Sequence, residues 1–438
     1  MSLHRSVPRG IQFLVRTACL FIAYCNLLCC NPAIQTALSQ QQTVLAQQQT
    51  VLVQQQTVLV QQKTVQTAKP LRIATFNSAM NRKKAGELAE DLAQGDSQAK
   101  KIAEIIEKVS PDILLLNELD YDQDTAKRFL DQFLNAPADT QATSNTANQP
   151  PWKYFYAGPV NTGVDSQLDL DANGKLHEPN DAWGFGTFPG QYGMAVFSRY
   201  PIDSSAIRTF QLFRWSDMPN ALIPNADGKP YYPEAIWKEL RLSSKSHWDI
   251  PIEVDGHTVH ILASHPTPPV FDGPEDRNGC RNHDEIRLLL DYVSGSPAAD
   301  YLVDDQLRRG GLKEDSYFAI LGDLNADPID GDGQPDAIRK LIDHPRVAKY
   351  EIPESTGAAE ASSLSRGANL QHKGNPAHDT GDFNDKNPGN LRIDFVLPSA
   401  NFKVIAQGVF WPSSTESKED HELVKASDHR LVWVDVSW

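Results

Sequence analysis

Cysteine is scarce in this chain, and nearly all of it lies at one end. Four of the five cysteines occur among the first thirty residues, and only Cys280 lies further along. A single cysteine cannot form an internal disulfide, so the sequence excludes a disulfide-stapled scaffold. Cys280 has no cysteine or paired histidine close to it, and we interpret it as incidental.

Positive charge is also scarce, because 41 lysines and arginines face 56 aspartates and glutamates, for a net charge of −15. Tight electrostatic binding of long duplex DNA needs a basic surface, so the composition argues against it. A local basic groove, or a bound cation that offsets the charge, stays compatible with the composition. The apolar content of 40% is typical of a soluble globular protein.

The chain has no apolar run long enough to cross a bilayer comfortably. Residues 17–30 are mostly apolar and follow Arg5 and Arg9, which is the pattern of a signal peptide. We therefore predict that residues 1–37 are a signal peptide or N-terminal anchor. Residues 27–30 resemble a lipoprotein box, although a cysteine stands where a small residue is usual. The expected location is the periplasm, the extracellular space or, through this tether, the membrane surface.

A repeat of seven residues follows this segment, with Thr43, Thr50, Thr57 and Thr64 in register. A coiled coil needs apolar residues spaced alternately three and four, whereas here they cluster in one block per repeat. We predict that residues 38–68 are a glutamine-rich linker without chemistry of its own. Whether the repeat self-associates stays open.

Residues 69–438 are predicted to form the enzyme domain, because apolar strands alternate there with helices and long loops. The predicted strands are 71–76, 112–116, 192–199, 250–254, 257–263, 317–321, 391–397 and 431–436, and the predicted helices are 98–109 and 282–292. This pattern is typical of an α/β (α+β) fold. Nearly every predicted strand is followed by a polar residue, as in enzymes that build a site on rigid strand ends.

The clearest example is the run from Tyr317 to Leu321, which ends in Gly322 and then presents Asp323 and Asn325. Side chains alternate along an extended chain, so both polar groups are expected to point the same way. The carboxylate can orient or deprotonate a water, and the amide can donate to a developing oxyanion. The alternative is an ordinary Asp/Asn/Pro turn after a strand.

Six short motifs lie in or at the ends of predicted strands along the domain. They are ATFN (74–77), LLNE (115–118), GMAVFSRYP (193–201), GDLN (322–325), RIDF (392–395) and SDH (427–429). In this set and order the chain resembles the endonuclease/exonuclease/phosphatase superfamily, which has the DNase-I-like fold. The resemblance implies a four-layer α/β/β/α sandwich and divalent-metal-dependent hydrolysis of a phosphoester.

The resemblance also implies roles for individual residues. Asn77, Glu118 and Asp428 would bind or approach the metal. Carboxylate ligands suit Mg²⁺ or Mn²⁺, so we expect one of these ions. Asp323 and Asn325 would orient the attacking water and stabilise the pentacovalent state.

Two histidines complete the implied catalytic set. His429 would be oriented by Asp394, because a carboxylate behind a histidine fixes its tautomer. His265 would donate to a phosphate oxygen or to the leaving group. The mechanism implied is direct in-line attack by water, without a covalent enzyme intermediate.

The sequence departs from the family pattern around the first histidine. Ser264 stands where many members have asparagine. In nucleases of this fold a glutamate can partner that histidine from the strand near residue 192, whereas this chain has Gln191 and Tyr192. That partnership is therefore in doubt.

A charged stretch after the His265 loop, containing Arg277, Arg281 and Asn282, supplies candidate substrate-binding residues. The arginines could clamp a phosphate in bidentate fashion, and Asn282 could cap the following helix. The alternative is a solvated helix start.

A second local motif, at Asp169, Asp171 and Asn173, copies the first half of a calcium loop. The position where an EF-hand has its bidentate glutamate carries Asn180, so the motif predicts at most a loop-type structural Ca²⁺ site.

The function predicted from the sequence is an exported, metal-dependent phosphodiesterase or nuclease acting on nucleic acid or a small phosphodiester. A small-molecule phosphatase or a lipid phosphodiesterase of the same fold is the alternative. From other classes, a non-catalytic binding module and a surface-anchored interaction protein stay open, although a module without activity would be expected to have lost residues such as Asp323, His429 or Glu118. No obligate protein partner is evident.

Overall fold

The computed structural model describes most of the chain. The described residues are 69–122, 124–135 and 150–438, together with residues scattered between Pro32 and Thr50. Contacts divide the chain into one unit from Met1 to Lys69 and a second from Pro70 to Trp438.

The described residues between Pro32 and Thr50 are helical. Most of the predicted signal segment, 1–37, and most of the predicted linker, 38–68, lie outside the described residues, so both stay predictions. None of the described helices has the length and apolar character that a membrane span requires.

The second unit contains fifteen strands and eight α-helices within the residues that the structure describes. The strands are β1 (Leu71–Met80), β2 (Ile113–Leu119), β3 (Tyr154–Tyr156), β4 (Met194–Ser198), β5 (Arg208–Thr209), β6 (Asn225–Ala226), β7 (Lys229–Pro230), β8 (His247–Val254), β9 (His257–Ser264), β10 (Tyr317–Asp323), β11 (Gly381–Asp382), β12 (Asn390–Leu391), β13 (Asp394–Pro398), β14 (Lys403–Val409) and β15 (Val432–Ser437). The helices are α1 (Glu87–Ala93), α2 (Ser97–Val109), α3 (Thr125–Phe129), α4 (Glu234–Trp237), α5 (Arg277–Ser294), α6 (Asp336–Ile342), α7 (Thr356–Ser365) and α8 (Lys418–Leu423).

Two mixed sheets dominate the unit. The first has the strand order β14-β15-β1-β2-β4-β3 and the second the order β13-β10-β9-β8-β5. The neighbouring strands β1 and β2 run parallel in the first sheet, as do β9 and β10 in the second. The remaining pairs within the two sheets are antiparallel.

The faces of the two sheets pack against each other to form the central core. Alternate residues of each strand supply it, as the two-residue period of an extended chain requires. Ile73 and Leu115 contribute from the first sheet, and Ile261 and Leu321 from the second.

Helices cover the outer faces. Ala74 and Phe76, which point away from the central core, pack with residues of α2 such as Ile102 and Ile106. On the second sheet, Ile320 and neighbouring residues pack with α5 and α6. The predicted four-layer α/β/β/α sandwich is confirmed.

Some predicted boundaries were wrong. The helix predicted from Asn282 begins five residues earlier, at Arg277, because the polar residues of its first turns bond to neighbouring loops rather than to solvent. Asn278 Nδ2, for example, donates to the carbonyl of Val270 over 2.7 Å. The first strand continues past Phe76 to Met80, through an irregularity in its pairing with β2.

Asn117, a buried residue of β2, joins the two sheets at the ends of their strands. Its Nδ2 donates to the carbonyl of Ser264 over 3.3 Å, and its Oδ1 accepts from the amide of Asp323 over 3.2 Å. Beside it, Gly322 passes so close to β9 that a β-carbon built on it would lie 2.1 Å from the carbonyl oxygen of Ser264. Only glycine fits this junction.

Replacing Gly322 with alanine should therefore push β9 and β10 apart at the site. We expect Gly322→Ala to lower the free energy of unfolding by about 2 kcal/mol or more, measured by urea denaturation, since the clash is with backbone. Gly228→Ala is the matched control, because Gly228 also has a positive φ, of 77°, but a β-carbon added there would meet no atom within 4 Å. Equal losses in both variants would contradict the close-approach argument.

Candidate active site

The polar residues that end the central strands converge at the edge where the two sheets meet. Asn77, Asp323, Asp394, His265 and His429 are all nearly inaccessible to solvent, at 0–5% exposure. The pairing register explains part of this convergence, because Asn77 lies opposite Asn117 and Asp323 opposite Asp394. Buried polar groups need partners, and here they are one another's partners.

Asn77 lies at the centre of the group. Its Nδ2 lies 3.1 Å from Glu118 Oε1, 3.0 Å from Asp323 Oδ2 and 3.4 Å from His429 Nε2. The two carboxylate contacts determine which end of the amide carries the nitrogen. Asn77 therefore links the predicted metal side of the site to the predicted catalytic side.

Glu118 is the half-buried carboxylate of the site. It has a φ of +57°, a left-handed conformation that is uncommon outside glycine and is frequent at functional positions. Its oxygens accept from Asn77 and, over 2.7 Å, from Asn81 Nδ2. No lysine, arginine or histidine among the described residues forms an ion pair with it. A carboxylate bonded only to neutral amides fits the ligand chemistry of a hard divalent cation.

Asp323 lies between the two histidines. Its Oδ2 is 3.4 Å from His265 Nε2 and 3.6 Å from His429 Nε2. Burial alone would raise the pKa of Asp323, but the charge of His429 and the hydrogen bond from His265 outweigh it and hold that pKa well below its usual range. Asp323 is therefore a carboxylate at neutral pH.

His429 and Asp394 form the contact that the family resemblance implied. His429 Nδ1 lies 3.0 Å from Asp394 Oδ2, which also accepts from Thr380 Oγ1 over 2.8 Å. Burial raises the pKa of Asp394 to about 6 despite the opposing charge of His429. Burial would lower the pKa of His429, but Asp394 and Asp323 overcome this and raise it to about 10, so this histidine is protonated at neutral pH.

His265 differs from His429 in its surroundings. Its Nδ1 is buried and has no hydrogen-bond partner among the described residues. Burial lowers the pKa of His265, so it is neutral at pH 7. Gln191, which stands near the position of the family's glutamate partner, instead bonds to the carbonyl of Arg82 and to Thr187.

Asn325 does not continue the extended chain that its spacing suggested. Its φ of +50° turns the backbone, and its amide N–H donates back to Asp323 Oδ1 over 2.9 Å. Its side-chain Nδ2 donates to the carbonyl of Pro266 over 3.1 Å. The alternation argument for this pair was wrong, because the strand ends at Asp323, although Asn325 still lies beside the His265 loop.

Asp428 is exposed, and its carboxylate makes no hydrogen bond or ion pair within the described residues. At the site, the potential ligand atoms that lie within 4.8 Å of one another belong instead to Asp323, Asp394 and His429. Those three already bond to one another or to Asn77, whereas Glu118 is more open. Metal binding by Asn77, Glu118 and Asp428 stays a prediction.

The comparison with protein families agrees with this geometry. The model of the Endonuclease/Exonuclease/phosphatase family matches residues 74–429, which span all six motifs. The chain belongs to this family. Members of the family are phosphoester hydrolases that typically use a divalent metal, so phosphoester hydrolysis is the general activity class. The resemblance drawn from the sequence is confirmed.

Solved structures similar to the chain have low sequence identity. One is an endonuclease/exonuclease/phosphatase from Beutenbergia cavernae DSM 12333, with 18% identity, a TM-score of 0.45, and coverage of 84% of this chain and 72% of that chain. A family protein from Leptotrichia buccalis C-1013-b has 15% identity and a TM-score of 0.44, covering 84% and 100%. Sphingomyelinase C from Streptomyces griseocarneus has 14% identity and a TM-score of 0.41, covering 84% and 99%. A search of curated proteins found no match.

The predicted substrate-binding residues of this family member are engaged within the protein. Arg277 pairs with Glu275, and Arg281 donates to three backbone carbonyls, including that of Trp183 over 2.6 Å. Asn282 is fully buried, and its Nδ2 donates to the carbonyls of Thr267 and Leu324 over 2.8 and 2.9 Å. Its predicted role as a helix cap was wrong, because it lies inside α5. Phosphate binding by the arginines stays a prediction.

In the predicted calcium loop, the carboxylates of Asp169, Asp171 and Asp181 lie close together, and Asn173 donates to both Asp169 and Asp171. Both oxygens of Asp181 already accept backbone amides, from Leu170 and Glu178. The Ca²⁺ site therefore stays a prediction.

Three residues of the site were missed by the sequence analysis. Asn117 joins the two sheets. Asn81 donates to Glu118, and Thr380 donates to Asp394. Asn117 stands next to Glu118 and could have been noticed as a second polar residue in a buried strand. Asn81 and Thr380 lie beyond the predicted strands, where no periodic pattern marks them.

Removing the carboxylate behind His429 should change how this histidine titrates. We expect Asp394→Asn to lower the pKa of His429 from about 10 towards its ordinary value of 6.5, measured by NMR of the ring in EDTA. A raised pKa stabilises the folded state below about pH 6.5 and loses that effect as the pH rises through about 10. The variant should therefore be less stable than the wild type at pH 6, with a smaller difference above pH 10.

Asp249→Asn is the matched control, since Asp249 pairs with His260 over 2.7 Å elsewhere in the second sheet. This change should leave the pKa of His429 where it is. An unaltered His429 titration in Asp394→Asn would show that the pair does not control its charge.

Proposed function

We propose that this family member is an exported, divalent-metal-dependent phosphodiesterase or nuclease that uses in-line attack by water. The observation that carries the proposal is the ionised Asp323 held between two histidines, with Asn77 joining it to Glu118, a carboxylate that no basic side chain among the described residues pairs with. A divalent ion bound at Glu118 would supply positive charge against the phosphoryl oxygens.

The charge states divide the work among the residues. Asp323, whose pKa is depressed, orients the attacking water and accepts its proton as the oxygen–phosphorus bond forms. His429, which is protonated, donates to a phosphoryl oxygen where negative charge develops. His265 is neutral, and its Nε2 donates a hydrogen bond to a phosphoryl oxygen or to the leaving group. The bond from phosphorus to the leaving group breaks on the side opposite the water.

The charge of the protein, rather than the shape of a pocket, limits the class of substrate that we propose. The net charge of −15 disfavours tight binding of long duplex DNA, so a small phosphodiester or single-stranded nucleic acid is the favoured substrate class.

Export rests on residues 1–37 alone. Fractionation of the producing cells tests it, and protein found only in the cytoplasm would remove export from the proposal.

The activity test compares bis-p-nitrophenyl phosphate, p-nitrophenyl phosphate and plasmid DNA as substrates. We expect wild-type protein to hydrolyse the diester with Mg²⁺ or Mn²⁺, and Asp323→Ala and His429→Ala to lose at least about 10³-fold in kcat/KM while remaining folded. Asp300→Ala, which removes an exposed aspartate, should retain full activity. Near-native turnover by either site variant would refute the mechanism.

The same assay tests the metal. EDTA should abolish turnover, and Glu118→Gln should require at least about tenfold more Mn²⁺ for half-maximal rate, because a charged ligand becomes neutral. Glu239→Gln, at an exposed position, is the control. Activity that persists in EDTA would contradict metal dependence, and turnover of the monoester alone would favour the phosphatase alternative.

A further inference from the structure

Lys245 is a buried lysine without a partner. It is 6% exposed, and in residues 69–122, 124–135 and 150–438 its ammonium makes no hydrogen bond and no ion pair. Lysines are rarely buried this deeply unless they are paired, because an ammonium loses its hydration on burial. A buried lysine without such a partner is therefore a candidate ligand-binding residue.

The position of Lys245 places it at the active-site edge of the second sheet. It lies two residues before β8, and the first residue of β8, His247, pairs with Ser264 at the end of β9. Ser264 directly precedes His265. Lys245 and His265 thus leave adjacent strands at the same edge.

Electrostatic effects show that Lys245 and the site act on each other. Burial lowers the pKa of Lys245, and Glu285, Glu118 and Asp323 oppose that effect. In turn, after burial, the charge of Lys245 is the next largest cause of the lowered pKa of His265. The charge of the ammonium therefore interacts with those of Glu118, the predicted metal ligand, and Asp323, the predicted catalytic aspartate.

The acid that acts most strongly on Lys245 is already bonded to other groups. Glu285 is fully buried on α5, its Oε1 accepts from the amide of Ser244 and its Oε2 from the amide of Thr267, each over 2.6 Å. These bonds fix the two backbone segments on either side of the Lys245–His265 edge. They fix the backbone of Ser244, next to Lys245, and among the described residues neither oxygen of Glu285 accepts a hydrogen bond from the Lys245 ammonium.

We propose that Lys245 is a further substrate-binding residue, whose ammonium contacts a non-bridging oxygen of the phosphoryl group that the site hydrolyses. An ammonium is a compact charge suited to a phosphate oxygen, and its protons need an acceptor that no described residue supplies. The proposal rests on the proposed function and adds to it a residue outside the six family motifs. The alternative role is structural, in which Lys245 only offsets the charge of the nearby acids.

The test uses the full chain with Lys245→Met, which keeps the length of the side chain and removes its charge. We expect kcat/KM for bis-p-nitrophenyl phosphate to fall about 10²-fold, as when one oxyanion donor is removed. The rise in Tm that inorganic phosphate gives the wild type should disappear. Without phosphate, the Tm of the variant should equal or exceed that of the wild type, because an unpaired buried charge is gone.

Lys238→Met is the matched control, since Lys238 is an exposed lysine of the same region that pairs with Glu234. It should keep both turnover and the phosphate-induced rise in Tm. If Lys245→Met keeps them too, or if it lowers the Tm in the absence of phosphate while retaining the phosphate effect, Lys245 has a structural role and the proposal is overturned.

A crystal structure of the wild type with inorganic phosphate gives an answer even if Lys245→Met does not fold. A phosphate oxygen within hydrogen-bond distance of Lys245 Nζ supports the proposal, and phosphate bound elsewhere or not at all overturns it. The two proposals fail separately. A wild type that binds phosphate at Lys245 but hydrolyses no ester would refute the proposed function alone, whereas active wild type with an equally active Lys245→Met would refute only the role of Lys245.

Discussion

The geometry of the site depends on one buried amide that joins two sheets. Asn117 belongs to the first sheet, yet both of its polar atoms bond to the backbone of the second, at Ser264 and Asp323. Catalytic residues from different sheets keep their distances only if the sheets cannot slide. The hydrogen bonds of the buried Asn117 side chain to that backbone provide this restraint between the sheets. Within the second sheet, the close approach of Gly322 to Ser264 packs β10 tightly against β9. Asn77 then completes the link, because it touches Glu118 and Asp323 together.

A second constraint is the concentration of carboxylates at low exposure. Asp323 and Asp394 lie beside the charged His429, Glu118 is joined to Asp323 through Asn77, and each carboxylate is stabilised differently. Asp394 contacts His429 and Thr380, whereas Asp323 contacts two histidines and accepts from the amides of Asn77 and Asn325. Among the described residues, Glu118 accepts only from the side-chain amides of Asn77 and Asn81. The differences hold the pKa of Asp323 below that of Asp394, so that two neighbouring acids of the same type can perform different tasks. Glu118 has no basic partner among the described residues, and it is therefore the carboxylate whose charge a bound metal ion would balance.

Much of the fold was predictable from the sequence, because apolar alternation marks central strands and the motifs mark their ends. The strands around Ile73, Leu115 and Leu321 were placed correctly, and so was the contact between Asp394 and His429. Prediction failed where bonding partners are remote. Arg281 looks like a charged surface residue, but it bonds to backbone carbonyls of distant loops, and no local pattern reveals Thr380 behind Asp394. Asn325 was misjudged because a positive φ overrides strand periodicity.

The order of strands in the first sheet has a consequence for how the protein is made. Its central strand β1 lies between β2 and β15, which is the last strand of the described chain. A ribosome therefore releases β1 long before it releases the neighbour that covers one of its edges, and His429 emerges just ahead of that neighbour. Pairings this distant in sequence form late and slowly. The domain therefore stays incomplete until β15 has left the ribosome, and His429 joins the site at the same stage of synthesis as the strand that completes the sheet.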